Sequence, residues 1–123
     1  MRFTSLLAIT TLLAAAMVAA RLRRPSNDFI KGVENDCSAK TNEACPAIGY
    51  SNARYRARET IWNACMYAQW VAYSDHEGCP HRDADCACYN GCVVLSSGLH
   101  ANPGGICAKS CRKENYTALP CTD

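Results

Sequence analysis

The stretch ARYRARETIWNACMYAQWVAYSD, Ala53 to Asp75, carries the clearest helical period in the chain, and its reading decides the fold. Ala57, Ile61, Cys65, Ala68 and Ala72 recur at spacings of 4, 4, 3 and 4, the pattern of a helix with one buried stripe. On a wheel that advances about 100° per residue, Trp62, Gln69 and Tyr73 flank that stripe on one side, and Ala64 and Val71 flank it on the other. Trp62 is therefore expected in the core. Trp70 falls almost opposite the stripe, beside Glu59 and Asn63. Either another segment covers it, or it stands exposed as an anchor that a partner desolvates; in the second case Trp70 is the candidate partner-binding residue.

Beyond this helix, Gly78 and Pro80 predict a turn, and Asp83 or Asp85 is placed to cap a second helix. That helix runs through Cys88, Cys92 and Val93 to Leu95 and ends at Ser96-Ser97-Gly98. Cys88 and Cys92, four apart, share one of its faces. The ANPGG sequence, Ala101 to Gly105, is a turn by composition. Ile106 to Lys113 follows as a third short helix with Cys107 and Cys111 at the same spacing. On the N-terminal side, Cys37 to Ser51 contains Asn42, Pro46 and Gly49 among small polar residues and reads as a loop pinned at Cys37 and Cys45. Pro25 to Asp36 is polar and without period, and is expected to be a flexible tail. Few β-branched runs of strand length occur. The expected fold is a small, disulfide-rich, mainly α-helical single domain over residues 37–123, stapled by about five disulfides, with a small α+β fold as the alternative.

What the cysteines do depends on the compartment. Met1 to Ala20 has one arginine, then an apolar stretch from Leu6 to Ala20 interrupted only by Thr10 and Thr11, then small residues at Val18-Ala19-Ala20, so residues 1–20 read as a signal peptide. The apolar run falls short of the roughly 18 to 20 residues that a membrane span needs, and no membrane anchor is expected. Arg21-Leu22-Arg23-Arg24 looks like a target for a basic-residue-specific processing protease, which would start the mature chain at Pro25. In an oxidising secretory route the ten cysteines, Cys37, Cys45, Cys65, Cys79, Cys86, Cys88, Cys92, Cys107, Cys111 and Cys121, form a disulfide framework. Ten cysteines allow about 945 connectivities, so the pairing is left open. Each bridge adds roughly 2 to 4 kcal/mol to a chain too short for a large core.

Removal of the leader also changes the charge. The chain has thirteen basic and eleven acidic residues; Arg2, Arg21, Arg23 and Arg24 leave with the precursor, and nine against eleven gives about −2. The remaining basic positions form two local groups, Arg54, Arg56 and Arg58, then Lys109, Arg112 and Lys113. Neither makes a nucleic-acid footprint.

The densest polar cluster is Asp75, His76, Glu77, His81, Asp83 and Asp85. Its histidines are five apart with Gly78 and Pro80 between them, whereas a zinc helix needs them four apart, so no metal site is expected. No Gly-x-Ser-x-Gly elbow is present, a cysteine nucleophile would have to stay unpaired among ten, and a cross-linked chain of this size has little room for a carboxylate-flanked sugar cleft. The chain is expected not to be an enzyme. Asn115-Tyr116-Thr117 is an N-glycosylation acceptor sequence, which expects Asn115 at the surface if it is used.

Cys79-Pro80-His81-Arg82-Asp83-Ala84-Asp85-Cys86-Ala87-Cys88 resembles the Cys-x3-Asp-x2-Cys-x-Cys core of the CFEM domain, an eight-cysteine helical module of fungal extracellular proteins, and Cys107, Cys111 and Cys121 resemble its C-terminal end. The resemblance covers residues 79–121 and implies extracellular haem binding with Asp83 as axial ligand. The Cys-x3-Cys that opens the family pattern has no counterpart before Cys65, and Cys37, Cys45 and Cys92 are additional. As a whole, the leader, Arg23-Arg24, the short length and the ten cysteines resemble the small cysteine-rich secreted proteins of filamentous fungi, including effectors and killer-type toxins. That resemblance implies a monomer acting outside the producing cell by binding a host extracellular protein or carbohydrate, with no cofactor. Haem capture and antimicrobial toxicity are the alternatives.

Overall fold

The computed structural model describes residues 24–49, 51–75 and 79–122. The expected signal peptide, Arg21 to Arg23 of the basic site, and His76, Glu77 and Gly78 of the polar cluster lie outside them. Among the described residues five helices follow in order: α1 (Asn27–Ala44), α2 (Asn52–Ala72), α3 (Cys86–Ser96), α4 (Pro103–Ser110) and the single turn α5 (Lys113–Tyr116). No strand occurs among the described residues, so the helical reading holds and the α+β alternative falls away.

Most of the helices start where a side chain takes over an orphaned backbone donor. Ser26 Oγ accepts from Phe29 N at 3.2 Å ahead of α1, and Ser51 Oγ from Arg54 N at 3.1 Å ahead of α2. Asp85, rather than Asp83, caps α3: its Oδ1 accepts from Cys88 N at 3.0 Å. Asn102 caps α4 with Pro103 in the first turn, where a missing N–H costs nothing.

The segment expected to be a tail and loop is instead the 18-residue helix α1. Its buried positions are Ile30, Cys37 and Thr41, with Val33 packed against the core, a stripe carried by few and partly polar residues. Thr41 is buried because its hydroxyl donates back to Cys37 O at 2.8 Å. A helix of largely polar sequence is held here by one narrow stripe and a cystine.

Helix α2 is the centre of the molecule, packed against α1, α3 and α5. Its buried residues are Ala57, Thr60, Asn63, Met66 and Trp70, so the stripe is rotated from the expected one: Ala68 and Ala72 are exposed and Ile61 is only half-buried. The cause is hydrogen bonding. Asn63 Nδ2 donates to Asn115 O at 3.0 Å, and Thr60 Oγ1 accepts from Leu119 N at 3.0 Å while donating to Ala57 O. Both polar side chains therefore satisfy backbone of the C-terminal segment, and burial costs them little. The hydrophobic centre consists of Ile30, Met66, Trp70 and Leu95 around the sulfurs of Cys37, Cys88, Cys92, Cys107 and Cys111.

Four cystines are closed. Cys37–Cys65 joins α1 to α2, Cys45–Cys121 ties the end of α1 to the C-terminal segment, and Cys88–Cys111 with Cys92–Cys107 staples α3 to α4. The i, i+4 cysteine spacings on the second and third expected helices thus serve one purpose. No cystine links α2 to α3. Their crossing depends on Gly91, whose Cα lies so close to the Trp70 carbonyl that any side chain would collide with it.

Candidate functional site

Trp70 is 3% exposed and belongs to the core, which overturns its reading as an exposed anchor. The physical reason is the rotation of the α2 stripe, which turns the face beside Asn63 inward. Trp62 takes the opposite role. It is half-buried, meets Trp70 edge-on with ring centroids 6.0 Å apart, and forms the wall between a small core cavity of ≈ 80 Å³ and a surface groove.

That groove, ≈ 330 Å³, runs between α1 and α2. Ser38, Thr41 and Asn42 enter it from α1; Tyr55, Arg58, Glu59 and Trp62 enter from α2. A second hollow of ≈ 340 Å³ adjoins it, sharing Tyr55 and Arg58 and bounded by Ala47, Gly49 and Ser51 of the connecting loop. Gly49 takes φ 74°, a left-handed conformation that suits glycine and turns the loop around this hollow. Tyr55 is 63% exposed and Ile48, on the same loop, 76% exposed. The cystine Cys37–Cys65 fixes the two helices whose side chains make the groove.

The polar rim is organised from within. Arg58 donates to Asn42 Oδ1 at 2.7 Å and to the Cys45 carbonyl. Arg54 donates to Pro46 O at 2.7 Å. Glu59 Oε1 receives Arg56 Nη1 at 3.3 Å and faces Lys109 Nζ at 3.7 Å. Arg54 and Arg58, two members of the local basic group Arg54, Arg56 and Arg58, therefore tie the α1–α2 connection together, while Arg56 reaches Glu59 and the Glu114 carbonyl.

Other sequence candidates are placed elsewhere. Asp83 is exposed on the turn ahead of α3 and lines none of these hollows, and Pro80, His81 and Arg82 beside it are exposed as well. A haem would need an apolar slot next to Asp83, and the side chains beside it on this turn, Pro80, His81 and Arg82, are solvent-exposed. Asp85 is engaged twice, by Cys88 N and by Tyr67 Oη, which donates to Oδ2 at 2.9 Å. Burial, together with the hydrogen bond to the Asp85 carboxylate, pushes the Tyr67 hydroxyl up to about 12. Tyr67 also stacks on Tyr116, centroids 4.3 Å apart.

Cys79 and Cys86 stand together at the two ends of the turn, outside the four cystines. Burial and a hydrogen bond of the Cys86 thiol with the neighbouring Cys79 sulfur push Cys86 up. Among the described residues no three His, Cys, Asp or Glu side chains converge on a point where a metal would sit. Asn115 is buried, and its Nδ2 donates to Lys109 O at 2.6 Å. Nδ2 is the atom that carries an N-linked glycan, so the folded chain does not present Asn115 as an acceptor, correcting the surface expectation.

Arg24, the last residue of the basic site, is built into the fold. Its Nε donates to Val94 O at 2.9 Å, its Nη2 to Asn27 Oδ1 at 2.7 Å and to Leu95 O at 3.4 Å. These are carbonyls of the last turn of α3, where a cation is favoured by the helix dipole.

No family model, curated protein or solved structure matches this chain.

Proposed function

We propose that this protein is a secreted, effector-like module that acts outside the producing cell by binding a host protein or carbohydrate without catalysis, and that the groove between α1 and α2 is where it binds. The observation that carries this reading is the groove itself. It is concave, has the aromatic rings of Trp62 and Tyr55 at its surface, and has a rim whose amide and guanidinium groups are already fixed by Arg58. Preorganisation of this kind lowers the ordering cost of binding.

Four cystines in a chain of this length support an oxidising destination. Among the described residues no helix is long and apolar enough to cross a membrane. The proposal includes a fifth bridge between Cys79 and Cys86, whose thiols are already hydrogen-bond neighbours. It would close the exposed turn that leads into α3.

The test is binding of the labelled, secreted protein to isolated host extracellular proteins and cell-wall polysaccharides, with Tyr55→Ala and Asn42→Ala as surface variants. Saturable binding that both variants weaken supports the reading. Binding that neither variant changes removes the groove from it. Intact mass with all ten cysteines oxidised, leaving no thiol to alkylate, is expected for the secreted form.

A further inference from the structure

We infer that the α1–α2 groove takes a neutral oligosaccharide, one ring lying on Trp62 and a further ring reaching Tyr55. The inference rests on the groove being the binding site, and three features of that groove choose the ligand class.

The first is charge. Arg58 and Arg54 are the cations at the groove and its adjoining hollow, and both donate to acceptors of the protein: Arg58 to Asn42 Oδ1 and the Cys45 carbonyl, Arg54 to Pro46 O. Neither guanidinium is presented as a fork toward an incoming carboxylate or phosphate, and the Glu59 carboxylate in the same wall is paired with Arg56 and Lys109. An anionic ligand finds the charged groups of this wall already engaged by protein partners.

The second is the aromatic spacing. Tyr55 and Trp62 lie seven residues apart on α2, about 10 Å along the helix axis and close to one face of it. Trp62 lines one hollow and Tyr55 lines both, so the rings divide the trough between successive positions. A pyranose offers an apolar C–H face to each ring while its hydroxyls point to the sides. Trp62 is held from behind by Trp70, at 6.0 Å, so it meets a ligand as a fixed platform.

The third is the hydrogen-bonding capacity left over. Arg58 has only donors, so the Asn42 atom facing it must be the oxygen, and the Asn42 Nδ2 is left to donate. The Ser38 hydroxyl and Glu59 Oε2 have no partner among the described residues and line the same groove. Donor, acceptor and hydroxyl together suit vicinal sugar hydroxyls, each of which both gives and takes. A protein partner would favour a broad patch of about 800 Å² per side, whereas these hollows of ≈ 330 and ≈ 340 Å³ are concave and small.

The experiment titrates the disulfide-intact protein with cello-, xylo-, manno-, laminari- and chito-hexaoses, and with a galacturonic acid hexamer as the anionic comparison, following tryptophan emission and heat. The expected result is saturable binding of at least one neutral hexamer, with a tryptophan blue shift that Trp62→Phe alters. The parent monosaccharide should bind far more weakly. Tyr55→Ala and Asn42→Ala, both with unchanged far-ultraviolet dichroism and melting, should each lower affinity by about tenfold or more. Saturation by the anionic hexamer alone, or by none, overturns the saccharide assignment. If in that case a host protein binds and the two variants abolish it, the groove stands and only its ligand class is wrong. Saturable sugar binding untouched by either variant overturns the placement of the sugar in this groove.

Discussion

The α3–α4 hairpin and the α1–α2 pair are both helix pairs closed by cystines, but they are held by opposite means. Helices α3 and α4 are 11 and 8 residues long, below the length at which a helix is stable by itself, and two cystines of short sequence separation, 23 and 15, join them turn against turn. Helices α1 and α2 run to 18 and 21 residues and share one cystine, Cys37–Cys65. Their cohesion comes from Ile30 of α1 in one core with Met66 and Trp70 of α2, and from Arg58 of α2 donating to Asn42 and the Cys45 carbonyl. Covalent closure substitutes for core where helices are short. Where they are long, the cystine only sets register, and the groove forms along the seam that is left open.

The sharpest test of this contrast is the tryptophan pair. Trp70→Ala removes a ring that is 3% exposed and should cost about 3 to 5 kcal/mol in denaturant unfolding, while Trp62→Ala, on the groove wall, should cost less than half as much. Equal losses would mean that the two rings do not divide core from surface as described. The Gly91→Ala variant attacks the same crossing from the other side: it forces α3 away from the Trp70 carbonyl and should destabilise by about 1 to 3 kcal/mol.

Next in size is removal of a cystine from each pair. By loop entropy, deleting Cys92–Cys107 or Cys37–Cys65 costs about 3 to 4 kcal/mol in either case, so total stability does not separate them. Hydrogen exchange does. Loss of Cys92–Cys107 should abolish amide protection in α4 first, whereas loss of Cys37–Cys65 should leave the middle of α2 protected. Equal loss of protection throughout would show a single cooperative unit with no division between the pairs.

A smaller effect is expected at the end of α3. Arg24→Ala leaves the Leu95 carbonyl without its side-chain donor and Val94 O with the Ser97 hydroxyl alone, and should cost about 1 kcal/mol, with faster exchange confined to the last turn of α3 and residues packed on it. The smallest is spectroscopic. Tyr67 has its proton held more tightly in the folded than in the unfolded chain, so its contribution is complete below about pH 10, the ordinary tyrosine value, and is lost as pH rises toward 12. Alkaline difference spectra should show one of the six tyrosines ionising late, and Tyr67→Phe should remove that step. A late step that persists in the variant assigns it to another ring.

The legibility of the sequence follows the same division. The start of α3 and the pairing faces of α3 and α4 were readable because Asp85 and the i, i+4 cysteines are local signals that need no knowledge of neighbours, whereas α4 starts at Pro103, inside the stretch read as a turn, because Asn102 caps it. Helix α1 was not, because its stripe is Ile30, Val33, Cys37 and Thr41 among polar residues, and a period carried by a threonine that bonds its own backbone escapes hydrophobic counting. The presence of α2 was plain, but not its rotation: Thr60 and Asn63 count as polar on a wheel, and only the distant backbone of Asn115 and Leu119 makes them interior. The groove inherited both errors. Trp62 and Trp70 exchanged roles, Ser38 and Asn42 sat in a presumed loop, and Arg58 belonged to a local basic group with no assigned role. The nearest available signal was Tyr55 and Trp62 seven apart on one helix, and it had no meaning until α1 was seen to lie alongside.

Arg24 turns the start of the chain into a record of timing. A protease that cuts after this arginine must draw its guanidinium into a pocket of its own, but in the folded molecule that group is already committed to Val94, Leu95 and Asn27. Cleavage at this bond and closure of the α3 terminus therefore compete for one side chain. If a processing protease acts here, a chain that folds first shields its arginine, and a chain cut first begins at Pro25 with the Leu95 carbonyl without that donor. Under the proposal of secretion through such a protease, the ratio of the two N-termini would measure how fast folding runs against cleavage, a rate comparison readable from a single round of terminal sequencing.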